Sequence, residues 1–234
     1  LTQAAAIMAL ADLERQLGVS LFDRIGRQLL LNDTGRLLLA RARDVLDRAH
    51  DIENLAQGLA FDLHLGASVT IGNHLLPGLI ATLRQRSPEG RIRVSRFNTE
   101  QVVEHLLAFR IDLGFIEGPV HHPDLCHYPW RQDRLLAFSA PDHPLAGREL
   151  SLQDLADSEW IVREAGSGTR EVFERACAAA GYTPRIAFEL EQPEAIRQCV
   201  RAGLGLGCLS ELELEEAFQA GSCVALNLPD LPMP

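Results

Sequence analysis

Lysine is absent from this chain of 234 residues, so every permanently basic side chain is arginine. That bias carries no mechanistic weight by itself. CxxC pairs are also missing. The five cysteines, Cys126, Cys177, Cys199, Cys208 and Cys223, are odd in number and scattered, which excludes a disulfide framework. Four of them sit in apolar runs and read as buried, reduced thiols, which places the chain in a reducing cytoplasm. Cys126 and His127, with His121 and His122 nearby, match no standard zinc spacing, so no metal site is expected. No apolar run reaches the ~18 residues of a membrane span, and no signal peptide is present, so no membrane partner is expected. A GxSxG elbow is lacking, and GSGT at 166–169 has no Lys after it, which excludes a P-loop. No catalytic set and no cofactor are therefore expected. An α/β enzyme acting through Ser167 is the weakest of the alternatives.

What is present suits a globular protein of one or two domains: 47% hydrophobic and 23% charged residues. The net charge of −10 argues against a protein that coats nucleic acid. It is unevenly spread. Residues 14–48 hold seven arginines against five acids, a local +2, so the rest of the chain carries the acidic excess. Such asymmetry points to one nucleic-acid-facing end.

That end is readable in order. Residues 2–17 form an amphipathic, alanine-rich helix capped by Thr2 and stopped by Gly18. Residues 21–31 read as two short strands around Ile25-Gly26-Arg27. Asn32-Asp33-Thr34-Gly35 then opens a new helix. Helix, basic hairpin and helix make a winged helix-turn-helix edge. The chain starts inside a helical pattern without Met, so residues preceding Leu1 are expected.

The stretch TQAAAIMALADLERQLGVSLFDRIGRQLLLNDTGRLLLARARDVL resembles the second half of the winged helix-turn-helix of LysR-type transcriptional regulators. The resemblance rests on Thr2, Gln3, Leu13, Glu14, Leu17, Gly18, Leu21, Phe22, Arg24, Arg27, Leu31 and Gly35. Asn32 stands where that family usually has Thr, and Ala4 where Pro is common. The resemblance implies promoter DNA as a partner. A recognition helix presents its N-terminal residues to base edges, and Gln suits a bidentate contact to adenine, which makes Thr2 and Gln3 candidates. Arg24 and Arg27, flanking the hairpin, are candidates for phosphate or minor-groove contacts; a helix-capping or surface ion pair is the alternative for Arg24.

Residues 35–59 read as one long helix. Leu38, Ala42, Val45, Leu46, Ala49, Ile52, Leu55 and Ala56 recur at three- and four-residue steps on an otherwise polar rod. One such stripe wants a partner helix. The resemblance implies a linker that dimerises, so a homodimer or homotetramer is expected; packing against its own domain is the alternative. Gln57-Gly58-Leu59-Ala60 marks a hinge.

From Leu63 strands alternate with helices, which implies parallel βαβ units. Two α/β lobes account for them, and the resemblance implies a periplasmic-binding-protein-like effector domain. The expected fold is therefore an α/β effector domain of two lobes, preceded by a partial winged helix-turn-helix and a long linker helix. The expected bounds are 1–34 for the DNA-binding part, 35–60 for the linker, 62–133 for lobe I and 134–228 for lobe II. Residues after 228 are expected to complete lobe I.

Ligands in open α/β sheets bind beyond the carboxyl ends of strands. Three junctions qualify: 66–72, 163–169 and 191–193. The first two are rich in Gly and hydroxyls at a helix N-terminus, where free N–H groups and the dipole favour an anion. Singly, Ser68 and Ser167 read as helix caps. Together, one per lobe, they read as a clamp. The resemblance implies effector contacts at Ser68, Thr70, Ser167 and Thr169, joined by Gly168 and Gln192 at the same strand ends. Ile71 sits where some members carry a polar side chain, which implies a smaller or drier pocket. Glu117, in FIEGP, ends a strand at the cleft mouth and would oppose an anion unless paired by Arg163 or Arg170; a hinge salt bridge is its alternative. The leading reading is a transcriptional regulator sensing a small anion, such as sulfate, sulfite or a compact carboxylate. A solute-binding protein without a DNA-binding role is the alternative.

Overall fold

The computed structural model describes residues 3–25, 28–56, 61–120 and 122–233. Two compact units divide the chain, Leu1–Asp62 and Leu63–Pro234.

The first unit contains α1 (Gln3–Leu17), β1 (Phe22–Ile25), β2 (Gln28–Leu31) and α2 (Asp33–Ala56). The two strands pair antiparallel, Phe22 opposite Leu31 and Ile25 opposite Gln28. Side chains of the recognised stretch hold this arrangement. The Glu14 carboxylate accepts the backbone N–H of Leu21 at 2.6 Å and of Phe22 at 3.3 Å, tying the end of α1 to the start of the hairpin. Asn32 caps α2, its Oδ1 accepting from Gly35 N at 2.8 Å, so the departure from Thr keeps the cap. Gly35 cannot be replaced freely. A Cβ there would lie 2.1 Å from the Leu21 carbonyl oxygen, so the first turn of α2 packs directly on the hairpin backbone. Farther along α2, Val45, Leu46 and Ile52 are exposed. The hinge expected at 57–60 lies outside the described residues.

The second unit has two lobes. Lobe I comprises β3 (Asp62–Ala67), α3 (Val69–His74), α4 (Leu76–Arg86), β4 (Arg91–Arg96), α5 (Thr99–Leu107) and β5 (Leu113–Phe115), with strand order β4-β3-β5. The strands β3 and β5 run parallel, as expected from their helical crossover. Residues 69–86 form two helices, because the chain breaks at Leu75 and Pro77 lies in the first turn of α4. Proline lacks the N–H that a continuous helix would use.

Lobe II comprises β6 (Leu135–Ser139), a 3-10 turn at Leu152–Leu155, β7 (Glu159–Arg163), α6 (Gly168–Ala179), β8 (Arg185–Leu190), α7 (Pro193–Arg201), β9 (Leu206–Ser210), α8 (Glu211–Gln219) and β10 (Val224–Ala225). Its sheet has the order β10-β6-β9-β7-β8. The β7–β8 and β7–β9 pairs are parallel, but β6 is antiparallel to β9 and β10. An all-parallel reading fails there because an irregular loop and a 3-10 turn, not a helical crossover, follow β6.

Apolar clusters cover both faces of this sheet, one around Trp160, Phe173 and Leu206, the other around Phe138, Ile161 and Ile196. The fully buried Trp160 donates from Nε1 to the Tyr182 hydroxyl at 2.8 Å, which in turn donates to the Leu155 carbonyl at 3.2 Å. Leu231 and Met233 join the first cluster, and Leu135 N donates to Met233 O at 3.0 Å. Residues 229–233 pack on lobe II, where Leu231 and Met233 fill the cluster beside β6. Cys177, Cys208 and Cys223 are buried, Cys199 is partly buried and Cys126 is exposed.

Candidate effector site

The strand ends bring two groups of side chains face to face. In lobe I, Ser68 follows β3, and its N–H donates to Phe115 O at the end of β5 at 2.9 Å. Its hydroxyl caps α3, accepting from Ile71 N at 3.4 Å. Thr70 is buried in the first turn of α3, and Ile71 packs with Ala67 and Leu76. Glu117 lies two residues past β5. Its carboxyl is pushed above the ordinary carboxylate range, first by desolvation; the Ser68 and Thr70 hydroxyls and the more distant Arg163 act against that rise, and Asp133 adds to it.

In lobe II the loop after β7 supplies Ser167, and the first turn of α6 supplies Gly168 and Thr169. Ser167 is the N-cap residue of α6, but its hydroxyl makes no capping bond, unlike that of Ser68. Thr169 is buried, and its Oγ1 has no partner among the described residues; Glu117 Oε1 is in the same condition. Most buried polar atoms in folded proteins are satisfied, so two in one cleft call for a cause.

Gly168 is where the lobes touch. A Cβ on it would lie 2.0 Å from Glu117 O and 2.8 Å from Thr99 Oγ1. Beside this contact, Glu100 N donates across the cleft to Gly166 O at 3.1 Å, and Asn98 Nδ2 to Ala165 O at 3.4 Å. Buried Thr99 donates from Oγ1 to Glu117 O at 3.1 Å.

The expected partners of Glu117 are engaged elsewhere. Arg163, only 2% exposed, binds Glu164 through two bonds of 2.8 and 3.0 Å. Arg170 pairs with Glu174 at 2.7 Å and with Glu189. The expected pairing, and the hinge salt bridge as its alternative, are therefore replaced by a desolvated carboxyl beside hydroxyls. An adjacent acid captures each arginine before Glu117 can. Gln192 is exposed at the end of β8, caps α7 without a side-chain bond, and is joined to the Ser68–Glu117 group by no described bond.

Sequence reading missed Asn98, Thr99 and Glu100. The signal was there: FNTEQ is a capping box, in which Asn98 accepts from Gln101 N while Gln101 Oε1 accepts from Asn98 N. It also sits at a strand-to-helix junction, but without the glycines that drew attention to the others. Of the DNA-binding candidates, Gln3 opens α1 and Arg24 lies in β1, while Thr2 and Arg27 lie outside the described residues. So does His121; among the described residues no group of three metal-ligating side chains occurs. Nor is any helix long and apolar enough to cross a membrane.

Comparison with known proteins identifies both units. Residues 56–234 match the LysR substrate binding domain, and residues 1–36 match the bacterial regulatory helix-turn-helix of the lysR family. The chain belongs to the LysR family of transcriptional regulators. A LysR relative, the HTH-type regulator YeiE of Escherichia coli K12, is 44% identical over 233 residues, covering 99% of this chain and 80% of its own. The HTH-type regulator CysL of Bacillus subtilis is 30% identical, covering 92% of this chain and 74% of its own. Among solved structures, the CcmR regulatory domain of Synechocystis in complex with 2-PG superimposes with a TM-score of 0.68 at 27% identity, over 74% of this chain and 83% of that one. Full-length OxyR of Pseudomonas aeruginosa does so with a TM-score of 0.74 at 25% identity, over all of this chain and 78% of that one. As a LysR regulator the protein is a ligand-responsive, DNA-binding transcription factor and not an enzyme. The two-lobed fold is the family's effector domain, and the solute-binding alternative is set aside by the helix-turn-helix match.

Proposed function

We propose that this LysR regulator senses a small oxyanion, of the size of sulfate or sulfite, or a compact carboxylate, between Ser68, Thr70 and Glu117 on one lobe and Ser167, Gly168 and Thr169 on the other. The observation that carries this is the lining. The buried donors are hydroxyls and backbone N–H groups, and Arg163, the one buried arginine among the described residues, is already bound by Glu164. Such a site rewards acceptor oxygens more than formal charge. Glu117 fits it when protonated, because a neutral carboxyl donates to an oxyanion where a carboxylate would repel it. The two unpartnered oxygens, Glu117 Oε1 and Thr169 Oγ1, support the reading, since each would gain a partner. The CcmR regulatory domain, solved in complex with 2-PG, supports a small-molecule effector. Gln192 is retained at the rim.

The ligand acts by population shift, binding one lobe arrangement better than the other. The output end uses Thr2 and Gln3 toward bases and Arg24 and Arg27 toward phosphates. Oligomers form through α2 and the effector domains; the exposed Val45, Leu46 and Ile52 of α2, and the exposed Val94, Ile186 and Phe188 on the outer strands β4 and β8, support this. The protein works in the cytoplasm, with domain bounds near 1–34, 35–60, 62–133 and 134–228.

Calorimetric titration of the full chain with sulfite, sulfate, acetate and phosphate tests the site. One of these should bind, and Ser68→Ala and Thr169→Val should each weaken it about tenfold, the loss of a charge-assisted hydrogen bond. Binding unchanged in both variants, or binding of none of the four, would remove the proposal.

A further inference from the structure

One oxygen of the Glu117 carboxyl is committed and the other is not. The hydroxyls of Ser68 and Thr70 are hydrogen-bond partners of the carboxyl. Oε1 has no partner among the described residues and is shut off from solvent, so those bonds fall to Oε2. Oε2 is therefore the accepting oxygen, and a proton, when the group carries one, belongs on Oε1. Across the cleft stands the start of α6, close enough that a Cβ on Gly168 would collide with Glu117 O. That turn presents N–H groups without intrahelical acceptors and the unpartnered Oγ1 of Thr169. An oxyanion oxygen can accept from α6 and from a protonated Oε1 at once.

The charges around Glu117 do little to hold it ionised. From β7, Arg163 is the cation that acts on it, and that guanidinium is bound twice by Glu164. Asp133, just before β6, opposes ionisation; its own Oδ2 accepts from Ser210 Oγ at 2.5 Å. From α5, the Glu100 carboxylate stands beside Gly166. From α6, Arg170 is shared by Glu174 and Glu189. The first turn of α3 carries no charged side chain. Burial favours the neutral carboxyl, and an anion placed against Oε1 adds a like charge that favours it further. Anion and proton therefore assist each other's binding.

We infer that Glu117 takes up a proton as the anion binds, so that the site reads anion concentration and acidity together. This rests on the oxyanion site proposed above and specifies its regulation. The sign follows from linkage: the complex holds the proton more tightly than the free site. Affinity is highest below the range in which free Glu117 titrates and falls as pH rises through and above it. The fall is about tenfold per pH unit while the complex keeps its proton and the free site has lost it. Glu117 thereby also sets specificity, because it admits anions that bring no proton of their own.

Sulfate and acetate are the probes, since neither titrates between about pH 6 and 8. Calorimetric titration of the full chain in two buffers of unlike ionisation heat counts the protons exchanged. At least one of the two anions should bind with uptake of about one proton, and its affinity should fall about tenfold or more from pH 6 to pH 8. Glu117→Gln keeps the shape and a donor but cannot ionise. It should take up no proton, bind with one affinity across the range, and bind about tenfold more tightly than wild type at pH 8. Binding without proton uptake, or the same pH slope in Glu117→Gln, overturns the inference. So does binding of sulfite or phosphate alone, anions that bring a proton near neutral pH; the oxyanion site would then stand. Failure of all four anions to bind either protein removes the site and the proton uptake with it.

Discussion

Replacing Gly168 by Ala adds one methyl group at the point where the lobes meet. That carbon would sit 2.0 Å from Glu117 O, 2.6 Å from Glu117 C and 2.8 Å from Thr99 Oγ1. Non-bonded carbon contacts are comfortable at about 3.5–4 Å, so the backbones must part by more than about 1 Å. Two bonds span the cleft beside this point, Glu100 N to Gly166 O and Asn98 Nδ2 to Ala165 O. Each contributes about 0.5–1.5 kcal/mol, so losing both costs closure about 1–3 kcal/mol. A ligand that requires closure would bind about 5- to 150-fold more weakly. The fold of lobe II should not suffer, because Gly168 is the first residue of α6 and Ala is the better helix former. The assay is calorimetric affinity for whichever anion binds the wild type, with thermal unfolding as the control. Affinity within twofold of wild type at unchanged stability would refute the claim that this contact governs closure.

Three further outcomes follow from side chains already described. Burial raises the Glu117 carboxyl, so between the ordinary carboxylate range and its raised value the folded state holds a proton that the unfolded chain releases, and stability falls as pH rises through that window; Glu117→Gln should therefore gain in melting temperature over wild type between pH 4 and pH 7, and a gain that shrinks instead would be wrong-signed. Tyr182→Phe leaves the Trp160 N–H buried without its acceptor and should destabilise the second unit by about 1–3 kcal/mol in urea unfolding, whereas a neutral result would mean that the Tyr182 hydroxyl is not the acceptor. Burial pushes the Cys177 thiol up to about 11, and Cys208 and Cys223 are also raised, so in native protein at pH 8 Cys126 should react first with a disulfide reagent and these three only after denaturation.

Much of this architecture is carried by local pattern. The hairpin could be placed because its punctuation is short-range: Gly18 stops a helix, and Asn32 caps the next. The order of the α/β elements could be read for the same reason, from hydrophobic periodicity and turn residues. Strand direction could not. Whether β6 runs with or against β9 depends on where the chain re-enters the sheet, and that is decided by packing between residues far apart in sequence. The site divides along the same line. Ser68, Thr70, Ser167 and Thr169 advertise themselves as hydroxyls at glycine-rich helix starts. The fate of Glu117 depended on Glu164, Glu174 and Glu189 taking both nearby arginines, a competition among pairs that no motif records. The contact of Thr99 with Glu117 is tertiary in the same sense.

The close seat of Gly35 on Leu21 has a mechanical meaning. Because no side chain intervenes, the hairpin moves with the first turn of α2 as one body. The helix has 24 residues, so at 1.5 Å of rise per residue it is about 36 Å long. Tilting such a rod by roughly 10° about its far end carries the hairpin sideways by about 6 Å, nearly two base-pair steps of 3.4 Å on DNA. A lever of that ratio turns a slight adjustment at its base into a change of which base pairs lie beneath its tip.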